Sequence, residues 1–152
     1  MVKNYAGDKL NFALAMEHFK TLTDNDVRMV LVGHDVSVPR SRGKFVGRRG
    51  LAGVALVHTI AGATAHRCLD IDRIVELCDI ACHHTGTIGA SLVPCHVPGH
   101  PSDLHSETVD ILLGIESYNE PPISTLPMES SPPRVIQTML QLLLGTELAL
   151  YI

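Results

Sequence analysis

Apolar and polar residues change period several times along this chain, and each change predicts an element. Val2-Lys3-Asn4-Tyr5 reads as the tail of a strand that turns at Ala6-Gly7-Asp8. Asp8 suits a helix N-cap, where a carboxylate accepts a free backbone N–H of the first turn. Leu10 and Leu14, with Phe12, Met16 and Phe19, fit a helix to about Lys20, and Asp24-Asn25-Asp26 breaks it. Val27 to Val32 is a buried-strand run that ends at Gly33-His34-Asp35. Residues 39–50 are rich in Pro, Gly and Arg and predict a loop. From Leu51 to about Ala65 small residues dominate, which allows a helix to pack closely. Asp70 is a second candidate N-cap, followed by Ile71, Ile74, Val75, Cys78 and Cys82 at helical spacing, and Gly86 closes that helix.

Beyond Gly86 the pattern is shorter in period. Thr87 to Val97 reads as a strand entering a Pro/Gly turn, His100 to Glu107 as a polar loop, and Thr108 to Ile115 as another strand. Pro121, Pro122, Pro127, Pro132 and Pro133 make residues 119–133 an irregular connection. Arg134 to Leu144 closes with a helix, apolar at Val135, Ile136, Met139, Leu140, Leu143 and Leu144. Strands mixed with helices argue for an α/β or α+β fold, because a sheet with helices on its faces buries both helix types.

Composition narrows the function classes. Of 152 residues, 45% are hydrophobic and 18% charged, which excludes global disorder and suits one domain or part of one. A net charge of −4 and 4% aromatics, with no Trp, argue against a nucleic-acid-coating or base-stacking surface. Neither a secretory leader nor about 18 consecutive apolar residues is present, so no membrane partner is expected, and Cys68, Cys78, Cys82 and Cys95 read as reduced thiols of a cytoplasmic protein.

Several side chains could carry chemistry. Gly7-Asp8 after a strand could present a ligand-binding carboxylate, but spacing alone favours the cap. Arg40, Arg42, Lys44, Arg48 and Arg49, with Gly47–Gly50 before a helix, could hold a phosphate. The Gly-Lys-Ser/Thr ending of a P-loop is missing, and a solvated loop, or arginines bonding carbonyls at element ends, is favoured. Cys78, Cys82, His83 and His84 could form a metal module, yet both cysteines complete the apolar stripe and read better as core. Nine histidines single out no catalytic triad.

Four strings carry further information. Val2-Lys3-Asn4-Tyr5-Ala6-Gly7-Asp8-Lys9-Leu10-Asn11-Phe12 resembles the V-K-N-Y-T-G-D-x-x-N-F motif of the substrate-binding module of the dihydroxyacetone (glycerone) kinase family. Gly47-Arg48-Arg49-Gly50-Leu51-Ala52-Gly53, Val57-His58-Thr59-Ile60-Ala61-Gly62-Ala63 and Pro94-Cys95-His96-Val97-Pro98-Gly99 follow in the family's order. The similarity covers residues 2–144 and leaves 145–152 as an unmatched tail. It implies an α/β fold with a mixed sheet flanked by helices, an incomplete part of a two-subdomain kinase module. It further implies dihydroxyacetone as substrate, with Lys3 and Asp8 contacting it. ATP and Mg²⁺ would act from a separate helical domain, or a phosphocarrier subunit would replace them.

The departures from the family are equally specific. The upstream G-G-G-S-G-H-E-P loop and the nucleotide domain have no counterpart in this sequence. The family's covalent His lies in G-I-H-[GN]-E-P, whereas the matching stretch is Gly114-Ile115-Glu116-Ser117-Tyr118-Asn119-Glu120-Pro121. Glu116, Ser117 and Tyr118 replace the His, and a hemiaminal requires a nitrogen nucleophile. The sequence therefore reads as a fragment with negligible activity alone and no catalytic residue of its own. Its partners would be the ketose, a nucleotide-binding domain or a second copy. The competing reading is a non-catalytic ligand- or partner-binding remnant. Lys3 and Asp8 are expected to face a shallow cleft near Gly114–Ile115, and the strand ending at Tyr5 to lie at a sheet edge.

Overall fold

The computed structural model describes residues 1–39, 47–92, 110–114 and 122–148. They divide into two compact units, Met1–Thr87 and Ile88–Ile152, each of which is described by itself.

In the first unit, β1 (Val2–Lys3) pairs in parallel with β2 (Leu31–Val32), and α1 (Ala6–Leu22) makes the crossover. The Val2 N–H donates to the Val30 carbonyl at 2.9 Å, and the Asn4 N–H to the Val32 carbonyl at 3.0 Å. The ladder is shorter than the Val27–Val32 run because β1 offers it two residues. α2 (Val54–His66) and α3 (Ile71–His83) pack on each other, and Val30, Val32, Val54, Val57, Ala61 and Cys78 form the core. Cys82 packs against that core, so both cysteines are core residues.

Local chemistry fixes the helix ends. Asp70 caps α3 as expected, its carboxylate accepting the Arg73 N–H at 2.8 Å. The cap expected of Asp8 is not there: α1 begins at Ala6, Tyr5 is its N-cap, and Asp8 is the third helical residue. The Lys9 N–H already closes the first turn on the Tyr5 carbonyl at 2.9 Å, which draws Asp8 into the helix. There its charge still favours the positive end of the helix dipole. α2 starts three residues after Leu51, because residues 51–53 are taken up in a tighter turn in which Val54 and Ala55 N–H groups bond carbonyls three residues back.

In the second unit, β3 (Ala90–Ser91), β4 (Asp110–Leu113) and β5 (Ser124–Pro127) form an antiparallel sheet in that order. α4 (Pro132–Leu148) covers it, with Val135, Met139 and Leu142 against Ile111, Leu113 and Leu126. The parallel and antiparallel ladders thus occupy separate sheets of the α/β fold. The expectation of an irregular connection over 119–133 is corrected here: β5 lies inside it, and α4 starts two residues before Arg134. Proline is compatible with both. Pro127 ends a strand at the sheet's margin, and Pro132 and Pro133 occupy the first helical turn, where their missing N–H groups would have had no partner. Of the strand expected over Thr87–Val97 only β3 falls within the described residues. The His100–Glu107 loop lies outside them.

Candidate functional site

Both strands of the parallel pair end on the same side of the first unit, and at that carboxyl edge the polar residues gather. Ligands of open parallel sheets bind at such edges, where helix N-termini and loop side chains meet without strand pairing to compete. Lys3 ends β1 and is exposed. Asp8 is exposed in the first turn of α1, whose N-cap makes no side-chain hydrogen bond to the helix. Between them Asn4 is buried.

The Gly47–Leu51 segment crosses the strand ends and is held by bonds that use its arginines. The Asn4 Nδ2 donates to the Arg48 carbonyl at 2.8 Å. The Arg49 carbonyl accepts the N–H groups of both His34 and Asp35 at 3.0 Å. Buried Arg48 donates through Nε to the Val38 carbonyl at 3.1 Å. The Arg49 guanidinium donates to Asp35 Oδ2 at 2.6 Å and to Ser37 Oγ at 2.6 Å, while Ser37 Oγ donates to Asp35 Oδ1 at 2.7 Å. The approach is close enough that a Cβ on Gly50 would overlap the Val32 carbonyl. The two arginines therefore bond carbonyls and a buried carboxylate at element ends, which is the alternative that sequence favoured over a phosphate cradle. Arg40, Arg42 and Lys44 lie outside the described residues.

His34 is fully buried beside this network. Its Nε2 accepts the Leu51 N–H at 3.2 Å, which puts the proton on Nδ1, and Nδ1 has no partner among the described residues. Burial holds the imidazole below its ordinary pKa, and the charge of Asp35 opposes that shift. A Cβ on Gly53 would strike the ring, so glycine there is what admits it.

Lys3 and Asp8 are the substrate contacts that the family resemblance implies; Asn4, His34, Asp35 and Ser37 gather at the same edge without having been singled out by spacing. The available signal is a polar His34-Asp35 pair directly after a buried strand, which on local pattern alone reads as a strand stop. Ile115, Glu116, Ser117 and Tyr118 lie outside the described residues. In α3, His83 Nδ1 bonds the Asp79 carbonyl at 2.8 Å, and burial raises the thiol pKa of Cys78 and pushes that of Cys82 up to about 11. Among the described residues no three His, Cys, Asp or Glu side chains converge as a metal centre requires.

A parallel β-α-β edge crossed by a Gly-Arg-Arg-Gly segment defines the class. The Dak1 domain family model matches residues 1–150, and the chain belongs to that family. It is similar to dihydroxyacetone kinase 2 of Saccharomyces cerevisiae, with 41% identity over 120 residues, covering 79% of this chain and 20% of the relative. It is also similar to human triokinase/FMN cyclase, with 32% identity over 146 residues, covering 96% of this chain and 25% of the relative. The crystal structure of Citrobacter freundii dihydroxyacetone kinase in complex with AMP-PNP and Mg²⁺ superposes with a TM-score of 0.77 at 34% identity, covering 95% of this chain and 26% of that one. The chain thus spans about a fifth to a quarter of the length of these relatives. The resemblance and the α/β fold read from sequence both hold.

Proposed function

We propose that this chain supplies part of the ketose-binding site of a dihydroxyacetone kinase, an enzyme that phosphorylates dihydroxyacetone with ATP in glycerol and ketose metabolism. The observation that carries the reading is the placement of Lys3 and Asp8, the two residues the family motif marks, at the exposed carboxyl end of β1. The Asp8 carboxylate accepts a hydrogen bond from a ketose hydroxyl and can take its proton as that oxygen becomes a nucleophile. The Lys3 ammonium donates to a second substrate oxygen. Asn4, through the Arg48 carbonyl, fixes the backbone between them.

ATP and Mg²⁺ belong to the family's chemistry, and the resemblance puts them on a domain other than this one. No step is therefore routed through nucleotide or metal on this chain; a separate nucleotide-binding domain is the partner that would bring them. Loss of the covalent His at Glu116-Ser117-Tyr118 favours weak, non-covalent ketose binding, and makes a non-catalytic ligand-binding role the second reading. Three free thiols, Cys68, Cys78 and Cys82, support a reducing cytoplasmic setting, and no helix among the described residues is long and apolar enough to cross a membrane.

Chemical-shift perturbation tests the proposal. Dihydroxyacetone should move the backbone amides of Lys3 to Lys9, and Asp8→Ala should weaken that binding roughly tenfold or more, the worth of one hydrogen bond to a charged group. Equal binding by the wild type, Asp8→Ala and Lys3→Ala would remove the assignment.

A further inference from the structure

α4 is entered through Ser130-Ser131-Pro132-Pro133-Arg134. Of the 9 prolines in the chain, Pro132 alone follows a serine or threonine. A base, Arg134, stands three residues after Ser131. Ser131, Pro132, Pro133 and Arg134 are all exposed. The Ser131 carbonyl accepts the Arg134 N–H at 2.9 Å and the Val135 N–H at 3.2 Å, so the helix starts on Ser131.

This order of side chains is what a proline-directed protein kinase reads. A peptide groove with no acceptor for the N–H after the target residue selects proline, whose N–H is missing. An acidic pocket further along the groove takes a base through a charge-assisted hydrogen bond. Proline also pushes the residue before it, here Ser131, toward the extended backbone that such a groove binds. Lifting the segment off the helix breaks few bonds. Pro132 and Pro133 have no N–H to lose, and the Arg134 and Val135 N–H groups release the Ser131 carbonyl.

We infer that Ser131 is a phosphorylation site for a proline-directed serine/threonine kinase. The Ser131 hydroxyl oxygen attacks the γ-phosphorus of the kinase's ATP. The bond from that phosphorus to the β–γ bridging oxygen breaks, ADP leaves, and the hydroxyl proton passes to the kinase's catalytic carboxylate. The product is a phosphoserine of charge about −2. It stands at the positive end of a 17-residue helix that has no acidic residue in its first turn. Arg134, three residues on, is within reach of its oxygens. Glu129, two residues before it, opposes it, but that carboxylate is exposed and screened by solvent. The phosphate therefore stabilises α4, and with it the layer that Val135, Met139 and Leu142 make with Ile111, Leu113 and Leu126. The inference does not depend on the ketose assignment.

The test uses the full chain, ATP and a purified cyclin-dependent kinase as the proline-directed enzyme. Intact-protein mass spectrometry should show a gain of one phosphoryl group, and fragmentation should place it on Ser131 and not on Ser130. Ser131→Ala should abolish the gain and Ser131→Thr should retain it. Pro132→Ala and Arg134→Ala should each slow uptake roughly tenfold or more, the worth of one unsatisfied or charge-assisted hydrogen bond in the kinase groove. The phosphorylated chain should melt about 2 °C or more above the unmodified one. No uptake, uptake that survives Ser131→Ala, or a rate indifferent to Pro132→Ala overturns the site. A phosphorylated chain that melts lower than the unmodified one overturns its stabilising effect on α4.

Discussion

Single residues in this chain carry conformations and charges that their surroundings impose. Cys68, just past the end of α2, has φ of 57°, the left-handed region that glycine enters freely. Its side chain is exposed, so Cys68→Gly gives up little packing and relieves strain. A gain of about 0.5–1 kcal/mol is expected in chemical denaturation. His34 is held neutral by burial, and the Leu51 N–H pointing at Nε2 leaves no room for a second proton. With its folded pKa below the unfolded value of 6.5, its stability contribution is complete above about pH 6.5. That contribution is lost as pH falls from 6.5 through the folded pKa, where the unfolded state binds the extra proton. Melting temperatures measured from pH 7 to pH 5 should therefore fall, and His34→Gln should flatten that slope, since its carbonyl oxygen can still accept from Leu51.

At the scale of elements, one ion pair fastens the Gly-Arg-Arg-Gly crossing to the strand ends. Asp35 is almost wholly buried and Arg49 is 13% exposed, so solvent screens the pair little. Arg49→Met leaves the Asp35 charge without its partner and should cost about 3–5 kcal/mol. Adding Asp35→Leu should restore much of that loss, because the expensive state is an unpaired buried charge and not the absence of the pair. Urea titration of the two variants checks this; equal loss in both would mean the network is held by backbone bonds alone. The cap of α3 offers a smaller effect. Asp70→Ala removes the acceptor of the Arg73 N–H and should cost about 1 kcal/mol.

For the whole molecule, which spans a fifth to a quarter of its relatives' length, the proposed ketose site has a covalent test. The family resemblance implies capture of the carbonyl through a His nitrogen, and the stretch aligned with that motif offers only the oxygens of Glu116, Ser117 and Tyr118. Oxygen adducts of a ketone revert readily in water, so no stable complex should persist. Intact-protein mass spectrometry after incubation with dihydroxyacetone should show an unshifted mass. A gain of one substrate that disappears on replacing His105, or another His, would show that a different nitrogen does the capturing.

How much was legible in the sequence follows from the range of the interactions involved. Asp70 could be read as a cap because capping acts within one turn, and Cys78 as core because helical period alone places it with Ile71, Ile74 and Val75. The family strings and the candidates Lys3 and Asp8 were likewise readable as local text. Asp8 as a cap failed within that same range: Tyr5 and Lys9 competed for the helix start, and backbone bonding won. β5 and the Pro132-Pro133 turn were hidden because proline reads as a breaker until its neighbours show whether an N–H was needed there. The network of Asn4, Asp35, Ser37, Arg48 and Arg49 joins residues up to 45 positions apart, and no local spacing encodes such a meeting. Sequence by itself determined the helices, the Asp70 cap and the family. Tertiary structure alone decided which polar residues were buried together, because desolvation forces each to find a partner only once the fold has taken the water away.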